Sequence, residues 1–271
     1  MGNFGTIVFD LDGVLYVGER AIPGAAAALR AVTAASIATV FATNNASRLP
    51  EEVAAAIASK LGVTVSAESI VTSAMAAADH LVGSVTAALV IGTPSLAIEL
   101  ERGGVATTER ADQADAVVVG LDPTLTYDAL KAATLAIAAG ARLVATNVDP
   151  TYPTAEGLVP GAGAIVAALE RASGVAAEVC GKPNRPMLDA VSRRLGPGPV
   201  LVVGDRIDTD IDMGRAMGWS TALVMTGVTP PERAAAEDVD HLLESVADLP
   251  AVLGLDPGPG AVHAERATHL P

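Results

Sequence analysis

Short apolar runs alternate with alanine-rich stretches along most of the chain. The runs are four or five residues long and rich in valine, as is typical of buried strands. The alanine-rich stretches, such as 50–61 and 126–140, place apolar residues at helical spacing. This alternation predicts an α/β fold with parallel sheets. The runs are "TIVF" (6–9), "ATVFA" (38–42), "ALVIG" (88–92), "AVVVG" (116–120), "RLVAT" (142–146), "VLVVG" (200–204) and "ALVM" (222–225).

Composition narrows the class of protein. The chain is 51% hydrophobic but only 3% aromatic, so its core must consist mainly of alanine, valine, leucine and isoleucine. A net charge of −14 argues against a nucleic acid as partner. The single cysteine, Cys180, cannot form an internal disulfide, and we find neither a signal segment nor an apolar run long enough to span a membrane. We therefore expect a cytoplasmic protein without a membrane partner.

Polar side chains gather where several of the predicted strands and turns end. The carboxyl ends of parallel strands meet at one edge of a sheet, where ligands bind in this fold class. Two of these residues are aspartates only two positions apart, and such a pair needs a cation or a proton nearby. The residues are Asp10 and Asp12 in "FDLDG", Thr43 and Asn44 in "ATNN", Lys182 in "GKP", and Asp205 and Asp210 in "GDRIDTD".

These residue types favour phosphoryl transfer through an aspartyl intermediate. A carboxylate such as that of Asp10 can attack phosphorus and form a covalent bond to it. Because a phosphate and a carboxylate repel each other, the attack needs a cation, and Asp10 with Asp205 would offer the hard oxygen ligands that Mg²⁺ prefers. Asp12 lies two residues further on, where it could protonate the leaving group and later deprotonate water.

Neighbouring residues could bind the transferring group. Lys182 and the hydroxyl group of Thr43 can neutralise and bind phosphoryl oxygens. Asp210 could steer the water molecules of the metal or hold Lys182 in place. Each signal alone is common, since Asp-x-Asp-Gly is often a turn and most lone lysines are solvated. Together, in this order and at segment ends, they are much more specific.

The segments "DLDGVLY", "TNN", "GKP" and "GDRIDTD" resemble the four ordered motifs of the haloacid dehalogenase superfamily. The resemblance covers roughly residues 5–250. It is closest to the branch of phosphatases with an α/β (C2-type) cap, which includes enzymes acting on 4-nitrophenyl phosphate, phosphoglycolate, pyridoxal phosphate, nucleotides and glycerol 3-phosphate. Val14 stands where a threonine often follows the glycine of the first motif, and we expect little consequence of that difference.

The resemblance implies a role for each motif residue. Asp10 would be the nucleophile and Asp12 the general acid and base. Asp210 would steer the water molecules of the metal or hold Lys182 in place, as described above. The implied phosphate-binding residues are Thr43, Asn44 and Lys182, and the implied magnesium ligands are the Asp10 carboxylate, the main-chain carbonyl of Asp12 and Asp205.

Spacing between the motifs predicts the domain organisation. Thr43 and Lys182 are 139 positions apart, whereas Asp12 and Thr43 are only 31 apart. The long interval contains three apolar runs and is large enough for a small domain. We therefore predict a Rossmann-like parallel-sheet core interrupted by an α/β cap, which would exclude water during the reaction. The predicted bounds are 1–76 and 179–260 for the core, 77–178 for the cap and 261–271 for a flexible tail.

Other functions use similar residues. Phospho-acceptor signalling modules also gather acidic residues, a hydroxyl group and a lysine around an aspartate, but they need neither the acid at Asp12 nor a cap. A non-catalytic binding protein would be favoured if Asp10 or Lys182 were replaced, and neither is. Dehalogenation would not require the acidic fourth motif. A magnesium-dependent phosphatase is therefore the preferred hypothesis.

Loops of the predicted cap are expected to choose the substrate. The loops at 120–128 and 146–154 contain few basic residues, and Asn147 and Asp149 suit the hydroxyl groups of a small polyol. The expected partner is a small phosphorylated metabolite, with glycerol 3-phosphate or a similar polyol or acid phosphate preferred and a nucleotide or pyridoxal phosphate as the alternative. A homodimer formed through the cap is a candidate assembly.

Overall fold

The computed structural model describes residues 4–154 and 157–255, so the predicted tail and the last residues of the predicted core lie outside the described part. The strands are β1 (Thr6–Phe9), β2 (Tyr16–Val17), β3 (Arg20–Ala21), β4 (Ala38–Thr43), β5 (Ile70–Thr72), β6 (Ala87–Ile91), β7 (Ala106–Thr107), β8 (Ala116–Val119), β9 (Arg142–Ala145), β10 (Thr151–Thr154), β11 (Gly157–Pro160), β12 (Glu178–Val179), β13 (Val200–Gly204), β14 (Ser220–Val224) and β15 (His241–Leu243). The α-helices are α1 (Ala25–Ala34), α2 (Pro50–Leu61), α3 (Ser73–Leu81), α4 (Pro94–Arg102), α5 (Tyr127–Ala138), α6 (Ala162–Ser173), α7 (Arg185–Ser192), α8 (Asp212–Met217), α9 (Pro231–Ala236) and α10 (Leu249–Leu253).

Two parallel sheets form the framework, which confirms the predicted α/β fold. The first has the strand order β15-β14-β13-β1-β4-β5, so β1 lies in its centre. Phe9, the last residue of β1, pairs with Val203 of β13 and Phe41 of β4. The three strands therefore end at the same edge, and the residues that follow them are brought together.

Helices cover both faces of this first sheet. Alternate residues of β1 point to opposite faces, and Ile7 and Phe9 lie in a different apolar cluster from Val8. The Phe9 and Phe41 rings stack with their centroids 5.8 Å apart. Burial on both faces explains why the strand reads as a continuous apolar run.

The second sheet has the strand order β12-β9-β8-β6-β7 and lies in the interval between the second and third motifs. Its bounds do not coincide with the predicted ends of the cap, because positions 77 and 178 fall inside α3 and β12. Helix α3 packs against α7 beside the first sheet and against α4 beside the second. One apolar cluster includes residues of both sheets, such as Val8 of β1 and Val118 of β8. The division into core and cap therefore stays a prediction.

A charged cluster joins α3, β9 and β12 where the chain passes between the two sheets. Glu178 accepts hydrogen bonds from Arg142 at 2.9 and 2.6 Å and contacts His80 Nε2 at 2.8 Å. Hydrogen bonds from Arg142, followed by the contact with His80, lower the pKa of Glu178 to about 2, although partial burial opposes the shift. None of the helices described here is long and apolar enough for a membrane span.

Replacing Glu178 by Gln should destabilise the protein only where the wild-type carboxyl is ionised. A pKa lowered from 4.5 to about 2 means that its stabilisation is present above pH 4.5 and is lost as pH falls towards 2. Solvent screening limits the effect to about 1 kcal/mol. Urea unfolding of wild type and Glu178→Gln should therefore differ at about pH 6 and converge at about pH 2–3. The surface variant Glu109→Gln is the control, and a pH-independent difference at position 178 would contradict the prediction.

Candidate active site

Lys182 lies at the centre of the site formed at the edge of the first sheet. Its ammonium Nζ is 2.5 Å from Asp10 Oδ1 and 2.7 Å from Asp210 Oδ1, and it donates to the carbonyl oxygen of Ala42 at 2.9 Å. The side chain is 3% exposed. Burial alone would lower the pKa of Lys182, but attraction to Asp10 and Asp210 outweighs it and raises the pKa. The lysine is therefore a fixed positive charge.

Three carboxylates surround this ammonium group. Asp10, Asp205 and Asp210 each place an oxygen within 4.8 Å of the others. Burial, with repulsion from Asp210, raises the pKa of Asp205 to about 7, and burial likewise raises the pKa of Asp10 although Lys182 opposes it. Three carboxyl groups therefore face a single ammonium group, which cannot balance the charge of all three when they are ionised. A set of hard oxygen ligands with unbalanced negative charge fits Mg²⁺.

Asp210 holds the lysine. It lies on a single π-helical turn, Ile207–Ile211, which follows β13. One of its oxygens accepts from Lys182 and the other from the backbone N–H of Arg206 at 3.1 Å. A Cβ atom at Gly204 would overlap Asp210, so this close approach requires glycine. Of the two roles predicted for Asp210, these contacts support the one that positions Lys182.

Asp12 lies at the mouth of the site, outside the cluster of three carboxylates. Its side chain is exposed, yet the walls of the cleft remove enough water to raise its pKa, against the attraction of Lys60, Arg48 and Lys182. Gly13 follows with a φ of 85°, and a Cβ atom there would lie 2.6 Å from Asp205 Oδ2. A carboxyl with a raised pKa two residues from Asp10 suits the predicted proton donor.

Asn44 connects the second and third motifs. Its Oδ1 accepts from the backbone N–H of Lys182 at 2.7 Å, and its Nδ2 donates to the carbonyl of Lys182 at 3.4 Å. A Cβ atom at Gly181 would lie 2.6 Å from Asn44 Oδ1, which explains the glycine. Thr43 is buried, and its Oγ1 accepts from the N–H of Asn45 at 3.1 Å. The hydroxyl of Thr43 can still donate to a phosphoryl oxygen, whereas the side-chain amide of Asn44 uses its oxygen and one of its two N–H groups to hold Lys182.

The two residues predicted to choose the substrate lie against the site. Asn147 Nδ2 donates to the carbonyl of Asn44 at 2.8 Å, and its Oδ1 accepts from the N–H of Asp149 at 3.1 Å. Asp149 Oδ1 is 3.7 Å from Arg206 Nη2. Burial raises the pKa of Asp149, with Arg206 opposing the shift. The amide of Asn147 therefore fastens the loop after β9 to the second motif.

Sequence reasoning missed the loop that follows β14. The backbone N–H of Val228 donates to Asp205 Oδ2 at 2.8 Å, and Thr229 Oγ1 donates to the carbonyl of Asp205 at 2.6 Å. Thr226 Oγ1 donates to the carbonyl of Gly13 at 2.6 Å. This loop is at the carboxyl end of the strand next to β13, so the rule that located the other motifs could have found it.

Gly227→Ala should weaken magnesium binding. The added methyl group would overlap the carboxylate of Asp205, which would have to move from its position beside Asp10. Misplacing a ligand typically costs 10- to 100-fold in metal affinity, so we expect the Mg²⁺ concentration for half-maximal activity to rise at least about tenfold. Gly196→Ala is a matched control, because its methyl group would lie at the opposite end of β1 and β4, 3.2 Å from Ala38 Cβ and 3.4 Å from Thr6 Oγ1. Unchanged magnesium dependence in Gly227→Ala would refute the expectation.

Comparison with known proteins agrees with this arrangement. A profile of haloacid dehalogenase-like hydrolases matches residues 7–106, and a HAD-hydrolase-like profile matches residues 179–249. The chain is 40% identical over 265 residues to the D-glycerol 3-phosphate phosphatase of Mycobacterium tuberculosis, covering 94% of this chain and 74% of that protein. It is 35% identical over 242 residues to the acid sugar phosphatase of Staphylococcus haemolyticus, covering 88% and 91%.

A solved structure gives the same result. The crystal structure of a glycerol phosphate phosphatase from Mycobacterium tuberculosis in complex with magnesium superimposes with a TM-score of 0.81 at 40% identity, covering 91% of this chain and 76% of that chain. That structure contains magnesium, and the acidic cluster described above offers the kind of hard oxygen ligands that Mg²⁺ prefers. The predicted family is confirmed: the chain belongs to the haloacid dehalogenase-like hydrolases, in the branch whose named relatives are phosphatases.

Proposed function

We propose that this magnesium-dependent phosphatase hydrolyses small organic phosphate monoesters, with glycerol 3-phosphate as the preferred substrate, through a phosphorylated Asp10. The observation that supports this mechanism best is the position of Asp10, whose Oδ1 lies 2.5 Å from the ammonium of Lys182 and whose carboxylate is clustered with those of Asp205 and Asp210. An aspartate held against a buried cation at the carboxyl edge of a parallel sheet can attack phosphorus while the charge of the phosphoryl group is neutralised.

In the first step, a carboxylate oxygen of Asp10 attacks phosphorus and the bond to the ester oxygen breaks. Asp12 gives its proton to the departing oxygen, so an alcohol leaves. In the second step, Asp12 takes a proton from water as the water oxygen attacks the phosphorus of the phosphoaspartate. Inorganic phosphate departs and Asp10 is regenerated. Lys182 and Thr43 would bind the phosphoryl oxygens in both steps.

The metal has a defined place in this proposal. Asp10, Asp205 and the main-chain carbonyl of Asp12 would hold Mg²⁺, which supplies positive charge to the phosphoryl group. Asp210 and Asn44 would act through Lys182. Asp210 holds its ammonium group, and Asn44 holds its backbone. Residues that orient a binding group often matter nearly as much as the group itself.

The proposed substrate is supported by the glycerol 3-phosphate phosphatase relative and by the few basic residues in the cap loops. A nucleotide or pyridoxal phosphate stays the alternative.

We propose that residues 77–178 form the cap. Because Asn147 holds Asn44, and Asp149 lies near Arg206, we propose that these two residues fasten the cap over the core and so influence specificity indirectly. A cytoplasmic location, supported by the lone, buried Cys180, and a homodimer through the cap complete the proposal.

The decisive experiment measures phosphate and alcohol released from glycerol 3-phosphate, a nucleoside monophosphate and pyridoxal phosphate. We expect equal amounts of glycerol and phosphate, the highest kcat/KM for glycerol 3-phosphate, and loss of turnover in excess chelator that Mg²⁺ restores. Ca²⁺ should not restore it, because a larger ion that takes more ligands would bind both oxygens of Asp10 and block its attack. Full turnover in excess chelator would contradict the proposal, and a preference for another ester would overturn the substrate assignment.

A further inference from the structure

A small cavity opens beside the proposed proton donor, and none of the roles assigned above uses it. Its volume is about 100 Å³, and its walls include Asp12, Thr43, Asn45, Arg48 and Lys60. These residues belong to the loop after β1, the last residue of β4, the loop that follows it and helix α2. A space of this size can hold a few water molecules or a small organic group.

The position of the cavity relates it to the leaving group. During turnover Asp12 must reach the ester oxygen, while Thr43 binds the phosphoryl group on the other side of that oxygen. Both residues line the cavity. With an ester bound in this way, the atoms attached to the ester oxygen would lie at the cavity entrance.

The two cations in the cavity wall differ in what they contact. Lys60 is 7% exposed, pairs with Glu19 at 2.9 Å, donates to the carbonyl of Gly18 and lies over the ring of Tyr16, 4.8 Å from its centroid. It therefore fastens the β2–β3 hairpin to α2. The exposed side chain of Arg48 makes no hydrogen bond or ion pair with any residue in the ranges that the structure describes. Its charge nevertheless acts on Asp12, where it opposes the rise in pKa that burial causes.

We propose that this cavity receives the leaving group and that Arg48 is a specificity-determining residue, which donates hydrogen bonds to an oxygen of that group. The inference rests on the proposed phosphatase function and specifies its substrates. They are esters whose alcohol carries a hydroxyl or carboxylate oxygen two or three atoms from the ester oxygen. A guanidinium group is planar, permanently charged and rich in donors, so it suits either acceptor and binds a carboxylate more tightly.

The test compares esters of similar size that place similar demands on the proton donor. These are n-propyl phosphate, glycerol 3-phosphate and 3-phosphoglycerate, assayed with Mg²⁺ at one pH. The first two release primary alcohols, so a change in the acidity of Asp12 affects both in the same direction and by a similar factor. Arg48→Gln should lower the kcat/KM ratio of glycerol 3-phosphate to n-propyl phosphate by about 10-fold or more, as expected for a lost charged hydrogen bond. The kcat/KM ratio of 3-phosphoglycerate to n-propyl phosphate should fall further.

A second variant of Arg48 separates charge from hydrogen bonding, and a variant outside the cavity is the control. Arg48→Lys retains the charge near Asp12 but not the planar set of donors, so its ratios should lie between those of wild type and Arg48→Gln. Arg30→Gln removes an exposed arginine from α1, outside the cavity wall, and should leave the ratios at wild-type values. Equal losses on all three esters, or unchanged ratios in Arg48→Gln, would overturn the assignment of Arg48. A wild-type protein that releases no phosphate from any ester would instead overturn the proposed function, and the assignment with it.

Discussion

Asp10→Asn is expected to abolish turnover while the protein stays folded. The amide cannot form the covalent bond to phosphorus, and removal of a catalytic nucleophile can cost several orders of magnitude, so we expect kcat to fall at least about 10⁴-fold. The amide oxygen can still accept from Lys182, which now donates to Asp10 at 2.5 Å. The substitution also removes one charge from a crowded acidic cluster. Stability in metal-free buffer should therefore change little.

Rapid-quench assays with glycerol 3-phosphate and thermal unfolding measure these two effects separately. Asp212→Asn is the control, because it removes the same charge from α8, where Asp212 pairs with Arg215 at 3.1 Å. It should keep wild-type turnover. An Asp10→Asn protein with a near-normal rate would show that another group attacks phosphorus. A collapse of stability would show instead that Asp10 is required for folding.

Much of the site could be predicted because it lies at strand ends. The apolar runs that end before Asp10, at Thr43 and before Asp205 match β1, β4 and β13, and parallel strands bring such ends together. The resemblance then supplied a role for each residue. The distribution of hydrogen bonds could not be predicted in this way. Asn44 is bonded to the backbone of Lys182, 138 positions away, and nothing in either local segment specifies that contact.

The least predictable parts of the fold are the shortest strands and the boundary between core and predicted cap, where one helix runs without a break. Strand β5 (Ile70–Thr72) and strand β15 (His241–Leu243) have three residues each, too few for an apolar run to stand out from a loop. Helix α3 passes through the predicted start of the cap without a glycine or proline to mark it. Small alanine side chains let α3 pack closely on both sides, so its pattern shows no change at residue 77.

Lys182→Met is expected to affect both activity and stability. The ammonium donates to Asp10, Asp210 and a backbone carbonyl in a buried site, and methionine would fill the space without replacing any of these bonds. Breaking a buried ion pair typically costs about 3–5 kcal/mol, so we expect a comparable loss in metal-free buffer. Loss of a fixed charge on the transferring phosphoryl group should also lower kcat/KM at least about 10³-fold.

The dependence on pH and metal distinguishes this charge effect from a simple packing defect. Burial already raises the pKa of Asp205 from 3.8 to about 7, so its folded form binds a proton more tightly than its unfolded form. Such a carboxyl reduces stability as pH rises from 3.8 to about 7, and without the lysine this decline should become steeper and extend to higher pH. Mg²⁺ should restore part of the stability of Lys182→Met, because it supplies positive charge to the same carboxylates, but it should not restore the activity.

Exposed Lys131→Met is the control for the loss of a lysine. A Lys182→Met protein equally destabilised at every pH, with or without Mg²⁺, would mean that the lysine stabilises the site through packing rather than through its charge.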